Sequence, residues 1–563
     1  MQIEARDLPL ECCYRWEKER AQYIYMTQPM GDGVVKDFTW KQTLEEARRM
    51  ANHLKSLDFP PGSKIAILSK NCAHFILSDL AIWMAGHVSV ALYPTSAPDT
   101  IQYILEHSET RLLFVGKLDA FDASTTVPEG MPCIAYPLAP KNSYEKWDDI
   151  IARTQPIEGS PVRDMDDSSV LIYTSGSTGK PKGVEHTFKS MVAGPKGAIE
   201  IFKLNSEDRF ISYLPLAHVF ERATIQVASF ILGNRVFFAE SLDTFVADVK
   251  RARPTFFHSV PRLWLKFQQG VSAKMPEKKL RLLLKIPIVS GLIKKKILTG
   301  LGLDCARYAV SGSAPIPPQL IDWYRNLGLE LLEGYAMTED FVCSHISLPG
   351  KSRVGYVGNP VPGATVRLSS EGEIQIKTLG NMKGYYKEPE LTKEAYTEDG
   401  FFKTGDRGEI DSQGRLRITG RVKELFKSSK GKYISPAPIE NLLNADEMVE
   451  MSCVTGAGFP QPFAFVMLAE GVRKDLARGT ADKAAITAHL TALLAKVNSQ
   501  VEEWERMSCL VIARDEWAID NGFLTPTMKL KRGAIDDTYG QEMTKWAECK
   551  EKVVWQQAAM SVV

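Results

Sequence analysis

The chain has 563 residues, 44% of them hydrophobic and 24% charged, with a formal net charge of +1. That balance is ordinary for a globular protein of several domains, and it excludes nucleic acid as a main partner. Nine cysteines without a CxxC or Cys/His spacing exclude a zinc or redox motif, and no stretch approaches the roughly 18 uncharged apolar residues of a membrane span. The scattered cysteines predict free, mostly buried thiols in a reducing compartment. The N-terminus carries acids and lacks the apolar core of a signal peptide, so the expected location is cytoplasmic.

From Lys64 to Val115, short apolar runs alternate with helix-like segments. Lys64–Ser69, Val88–Leu92 and Arg111–Val115 predict strands. Asn71–Met84 and Pro98–His107 predict the helices between them. This βαβαβ rhythm predicts a parallel sheet with helices packed on it.

The next segment is the most informative. Val170-Leu171-Ile172-Tyr173 reads as a buried strand, and Tyr173 to Val184 reads YTSGSTGKPKGV. Hydroxyls, exposed amides and ammonium groups suit a polyphosphate, and the glycines let the backbone come close to it. Thr174, Ser175, Gly176, Ser177, Thr178, Gly179 and Lys182 are the candidate binding residues. The spacing is not that of a Walker loop, because Pro181 follows Gly179-Lys180 and Thr174 stands where that motif needs glycine.

Further apolar runs at Val236, Thr255 and Tyr308 continue the strand rhythm. Between them, residues 274–298 hold eight Lys/Arg and one acid, Glu277, interleaved with leucines and isoleucines. Two readings stay open there: a helix pair with a solvated basic face, or a peripheral contact with an anionic membrane at its inner face. Glu333–Glu339 then brings Tyr335, Thr338 and Glu339 together. A ring can flank a base, a hydroxyl can bond a phosphate, and a carboxylate suits Mg²⁺. From Gly355 to Ile418, short strands with Gly-rich turns predict a compact β unit. Asp406, after a Gly turn, can accept ribose hydroxyls, and Arg421 can add charge-assisted bonds. A mixed α+β tail follows.

Taken in order, these stretches resemble the adenylate-forming superfamily of acyl-CoA synthetases, luciferases and peptide synthetase adenylation domains. The resemblance spans roughly Lys64 to Arg532. It rests on the 173–184 loop, Leu214–Glu221, Ser311–Ile316, EGYAMTE, FFKTGD, GRVKELFKSSKGKYISP and LTPTMKLKR. It is nearest to the long-chain fatty acyl-CoA synthetases, which also fits Met528, where other branches have glycine before the lysine. It implies an α/β fold: a large, multi-subdomain N-terminal domain (1–422) with parallel sheets and a small β unit, and a small mobile α+β domain (423–563) hinged near Lys423. It further implies that Ser313, Ala314 and Pro315 line the adenine and that Tyr335 stacks on it. Thr338 would contact the α-phosphate, Glu339 bind Mg²⁺, and Asp406 and Arg421 hold the ribose. Lys529 is implied as the catalytic lysine and His218 as the gate to an acyl tunnel. The turn at Gly431 would face the site during transfer to CoA. The implied reaction uses ATP, Mg²⁺ and CoA to convert a fatty acid to acyl-AMP and then to acyl-CoA. Transfer to a carrier protein acting in trans or to an amine, and an aryl acid as substrate, stay open as alternatives.

Overall fold

The computed structural model describes residues 1–174, 180–525 and 528–556. The chain groups into two compact units. The first takes in Met1–Ala314, Leu320–Arg367 and Gln375–Lys403, and the second Pro315–Gln319, Leu368–Ile374 and Thr404–Val563.

The first unit is α/β. Its largest sheet has eight strands in the order Gly384–Tyr385, Lys182–Thr187, Ser168–Thr174, Val88–Leu92, Lys64–Leu68, Thr110–Val115, Cys133–Ala135 and Glu145–Lys146. Lys64–Leu68 pairs in parallel with both Val88–Leu92 and Thr110–Val115. Val88–Leu92 is buried at every residue, as its unbroken apolar run demands of a strand covered on both faces. The connecting helix Ala73–Met84 is likewise buried all round, which explains its lack of a polar face. The predicted βαβαβ unit is therefore present, with ends shifted by one or two residues.

The later apolar runs do not extend that sheet. Arg235–Phe238 lies in a four-stranded sheet with Arg209–Ser212, Ile24–Gly31 and Val34–Thr39. Phe256–Ser259 and Tyr308–Ser311 pair in parallel in a separate five-stranded sheet. The hairpin Ile24–Thr39 lies outside the sequence expectations, although its turn is written in Asp32-Gly33. Both residues have positive φ (50° and 77°), the geometry that Asp-Gly favours between two strands. Residues 277–301 form two helices, Glu277–Leu284 and Pro287–Leu301.

The second unit is α+β where its main sheet lies. Val449–Thr455, Phe463–Leu468, Leu510–Ile512 and Val553–Trp555 form four strands. Alternate residues of Phe463–Leu468 serve two cores. Ala464, Val466 and Leu468 pack with Leu490, Leu494 and Val497 of helix Lys483–Asn498. Phe463, Phe465 and Met467 pack with Tyr539 and Trp546 of helix Arg532–Ala547. A fully buried strand of period two thus places a helix on each face of the sheet. Lys423, where the sequence places the hinge, is the middle residue of a single 3-10 turn, Val422–Glu424, within this unit.

Candidate active site

The strands that flank the phosphate-loop segment form a hairpin. Ser168–Thr174 and Lys182–Thr187 pair antiparallel, with Thr174 opposite Lys182 and Tyr173 opposite Gly183. Ser168–Thr174 is itself parallel to Val88–Leu92, and Thr174 stands at its C-terminal end. Ligands commonly bind at that end of an α/β sheet. Ser175, Gly176, Ser177, Thr178 and Gly179 lie outside the described residues. Tyr173 braces the root: its hydroxyl is 2.8 Å from His107 Nδ1, and a Cβ at Gly183 would come within 3.1 Å of its ring. Beside the root is a recess of about 250 Å³ lined by Tyr103, His107, Lys180, Pro181, Lys182 and Glu388.

The returning strand joins this loop to the acidic turn at 338–340. His186 Nε2 donates to the Thr338 carbonyl at 2.7 Å, and its Nδ1 lies 3.0 Å from Ser190 Oγ. Burial pulls the His186 imidazole down to about 4, so it is neutral at neutral pH and one nitrogen donates. Val184 pairs with Tyr385, whose hydroxyl donates to Glu339 Oε1 at 2.9 Å. The Lys182 ammonium sits 5.6 Å from the centre of the Tyr385 ring. Lys182, Thr338 and Glu339, far apart in sequence, are thus brought together through two side chains of the adjoining strands. Sequence reasoning missed both of these, His186 and Tyr385.

Next to Glu339, Asp340 is fully buried. Burial pushes its carboxyl up to about 8, although Oδ1 accepts from the Met337 N–H at 3.1 Å. The chain leaves this turn through Phe341 and Val342, both with positive φ (46° and 62°). Such backbone is costly for side chains of this size and persists only where the surroundings hold it. Here a Cβ on Gly194 would come within 2.5 Å of the Phe341 carbonyl, so a helix packs directly on the bend. Tyr335 ends strand Leu331–Tyr335 opposite His345, with the two rings 6.2 Å apart. Ser313 also has positive φ (68°), and the preceding Gly312 packs against the Phe220 ring.

His218 caps a short helix, Val219–Glu221, accepting from the Phe220 N–H at 3.2 Å. The loop before it is held from inside. Asn71 accepts from the Leu216 N–H (3.0 Å) and donates to the Leu214 carbonyl (2.6 Å), and Arg222 Nε donates to the Leu216 carbonyl (3.2 Å). Buried loop backbone requires such partners. Glu221, fully buried, accepts from Ser212 Oγ and the Tyr213 N–H and lies 2.7 Å from His258 Nε2. Arg222, also fully buried, pairs with Asp79 at 2.8 Å, and Asp79 accepts from Gln226 and Ser89 as well. From Arg222 to Val227 the helix is wound as a π-helix, a form that concentrates at functional sites. The signal for these supports was present: two adjacent charges in an apolar run need buried partners.

In the second unit, Asp406 and Arg421 lie opposite each other on the antiparallel strands Phe402–Ile410 and Leu416–Arg421. Arg421 Nε donates to Asp406 Oδ1 at 2.9 Å. Gly405 needs its positive φ of 72°, and its N–H donates to Glu373 Oε1 at 3.0 Å. Gly431 (φ 79°) turns the chain between Phe426–Lys427 and Tyr433–Ile434. Lys529 is exposed on a loop closed by the Leu524–Leu530 bridge, with its N–H bonded to Thr525 Oγ1 at 3.0 Å. Three residues on, Arg532 binds Glu440 (2.6 Å) and Glu424 (3.3 Å), the neighbour of Lys423. Pro315 opens the stretch Pro315–Gln319 grouped with this unit.

A family model described as AMP-binding enzyme matches residues 14–386. Long-chain-fatty-acid–CoA ligase 6 of Homo sapiens is 30% identical over 544 residues, covering 85% of this chain and 78% of that protein. Long-chain-fatty-acid–CoA ligase FadD15 of Mycobacterium tuberculosis is 29% identical, covering 94% and 95%. Among solved structures, the A-PCP didomain of carboxylic acid reductase from Segniliparus rugosus, in complex with AMP, aligns with a TM-score of 0.78 at 22% identity. That alignment covers 97% of this chain and 83% of that one. The o-succinylbenzoate CoA synthetase of Bacillus subtilis, in complex with its acyl-adenylate, aligns at 0.75 and 21%, covering 93% and 98%. At these identities the structures establish the fold.

Proposed function

The chain belongs to the AMP-binding enzyme family, and on that basis we propose that it is an AMP-forming acid–thiol ligase that activates a fatty acid and passes it to CoA. The observation that carries this reading is the tie between the phosphate-loop hairpin and the Thr338-Glu339 turn, made by His186 and Tyr385. That tie keeps Lys182, at the base of the Gly-rich segment, near an oriented acid, as cleavage of ATP between its α- and β-phosphates needs.

In this reading the 174–182 loop grips the β- and γ-phosphates. Tyr335 stacks on the adenine beside Ser313, Ala314 and Pro315, and Asp406 with Arg421 holds the ribose. Thr338 bonds the α-phosphate. Glu339 fits a Mg²⁺ ligand: Tyr385 fixes one carboxylate oxygen, and a single oriented carboxylate suffices when phosphates supply the other ligands. Bound there, the ion neutralises phosphate charge. The acid's carboxylate attacks the α-phosphorus and releases pyrophosphate, while Lys529 offsets the growing negative charge. His218 gates the acyl group. The 423–563 domain then turns about Lys423, taking Lys529 away and bringing the Gly431 turn up for attack by the CoA thiol, which releases AMP. The proposed setting is cytoplasmic.

ATP–pyrophosphate exchange over acids from acetate to oleate and aryl acids, with and without CoA, tests the reading. Exchange with aliphatic acids and stoichiometric loss of free CoA is the expected result. Exchange without CoA consumption points to a carrier or amine acceptor, and exchange with aryl acids alone rejects the fatty acid.

A further inference from the structure

The helix pair at 277–301 has two unlike faces. In Pro287–Leu301, Ile297 and Leu301 are buried, and the helix packs against Phe245–Ala252. Its other face carries Ile288, Leu292, Lys295, Lys296 and Thr299, which recur at the three- and four-residue spacing of a single stripe. Every one of them is exposed, Ile288 by 83% and Leu292 by 67%. In Glu277–Leu284, Leu280 is buried while Leu282, half a turn round, is 64% exposed between exposed Lys278 and Lys285. Ile286, 46% exposed, lies in the connection between the helices.

A solvated basic face accounts for the lysines but not for four large aliphatic side chains held in water between positions 282 and 292. The lysines cannot supply the reason through their stems alone, since they lie beside these side chains and do not cover them. The order along the stripe is informative. The aliphatic residues come first, at the start of the helix, and the ammonium groups follow on the same face within two turns. That arrangement matches a surface with an apolar interior beneath a negatively charged layer.

We propose that this helix pair is the chain's docking surface for anionic lipid bilayers. Leu282, Ile286, Ile288 and Leu292 enter the headgroup–acyl boundary, and Lys278, Lys285, Lys295 and Lys296 meet lipid phosphates. No helix among the described residues is long and apolar enough to cross a membrane, so the contact is peripheral. The inference stands apart from the proposed chemistry, because it uses none of the residues assigned to ATP, acid or CoA.

The test is co-sedimentation of the full-length protein with vesicles of phosphatidylcholine alone, or with roughly a quarter phosphatidylglycerol. The wild type is expected to bind the anionic vesicles about tenfold more tightly than the neutral ones, and to lose most of that preference in about 0.5 M salt. Ile288→Asp with Leu292→Asp should weaken binding about tenfold, and Lys295→Glu with Lys296→Glu should remove the preference for anionic lipid. Both double variants alter exposed side chains, and unchanged turnover of a water-soluble short-chain acid would show that they are folded. Equal binding to both vesicle types, no binding, or binding untouched by either variant would overturn the proposal. So would capture by an acidic polypeptide such as polyglutamate with no retention on vesicles.

Discussion

The Tyr385 hydroxyl donates to Glu339 Oε1 at 2.9 Å from a strand that also pairs Tyr385 with Val184. Its partner Val184 follows Gly183 at the root of the hairpin, and Tyr385 lies 46 residues from Glu339 in sequence. It orients the acid proposed to hold Mg²⁺.

Removing that hydroxyl tests the orientation directly. A hydrogen bond to a charged group contributes about 1.5–3 kcal/mol. Tyr385→Phe is therefore expected to lower ATP–pyrophosphate exchange about tenfold and to raise the Mg²⁺ concentration needed for half-maximal rate. Unaltered Mg²⁺ dependence would separate Tyr385 from the ion.

In the proposed reaction, Lys529 and Lys423 divide the two half-reactions. Lys529→Ala should lower adenylate formation by about 10²-fold or more and leave thioester formation from supplied acyl-AMP within a few-fold. Lys423→Pro, which restricts φ in the 3-10 turn, should do the reverse. Equal loss of both steps in either variant rejects the division.

Asp340 makes a pH-dependent demand on the fold. Burial raises its carboxyl from the ordinary 3.8 to about 8. Between those values the native chain keeps a proton that the unfolded chain has lost, so stability falls as pH rises, by about 1.4 kcal/mol per pH unit. Asp340→Asn removes this component. The melting temperature of the variant relative to wild type should climb steadily from pH 5 to pH 8, and a flat difference would refute the assignment. Glu333, also raised to about 8 by burial, is common to both proteins and cancels in the comparison.

The buried pair Arg222–Asp79 is expected to show strong coupling. Arg222→Met alone leaves a carboxylate without its counter-charge and should cost about 3–5 kcal/mol. Adding Asp79→Leu should recover a large part of that loss, because neither charge then remains. Thermal unfolding of the two single variants and the double variant measures the term, and additive losses would contradict it.

Met528 precedes Lys529 with φ at 62°, in the left-handed region. A Cβ there costs about 1–2 kcal/mol, partly offset for glycine by its freer unfolded chain. Met528→Gly should thus stabilise the protein slightly while keeping exchange activity within a few-fold. A loss of stability would show that the exposed methionine makes a contact worth more than the strain.

What the sequence disclosed, and what it did not, divides along physical lines. Strands Lys64–Leu68 and Val88–Leu92 and the helix between them were legible because burial on both faces writes itself as continuous apolar text. The returning strand Lys182–Thr187 was not, since KGVEHT mixes charge with β-branched residues and owes its state to its pairing with Ser168–Thr174. Tyr385, His186 and Asp79 were illegible for a related reason. Each acts through a partner dozens to more than a hundred residues away, and only the fold supplies that neighbour. The later apolar runs were read correctly as strands but not as members of separate sheets, because an apolar run records burial and not its companion strand.

The π-wound stretch Arg222–Val227 bears on how this protein can diversify. A π turn holds one residue more than an α turn, so deleting a single residue lets the segment relax to ordinary helix. The extra residue is absorbed within the π turn, so side chains beyond the deletion keep nearly their facing while those of the turn itself are re-set. Point substitution within this stretch changes side-chain size by degrees, whereas a one-codon deletion removes one side chain and re-aims its immediate neighbours. Relatives are accordingly expected to differ here in length as well as in residue type.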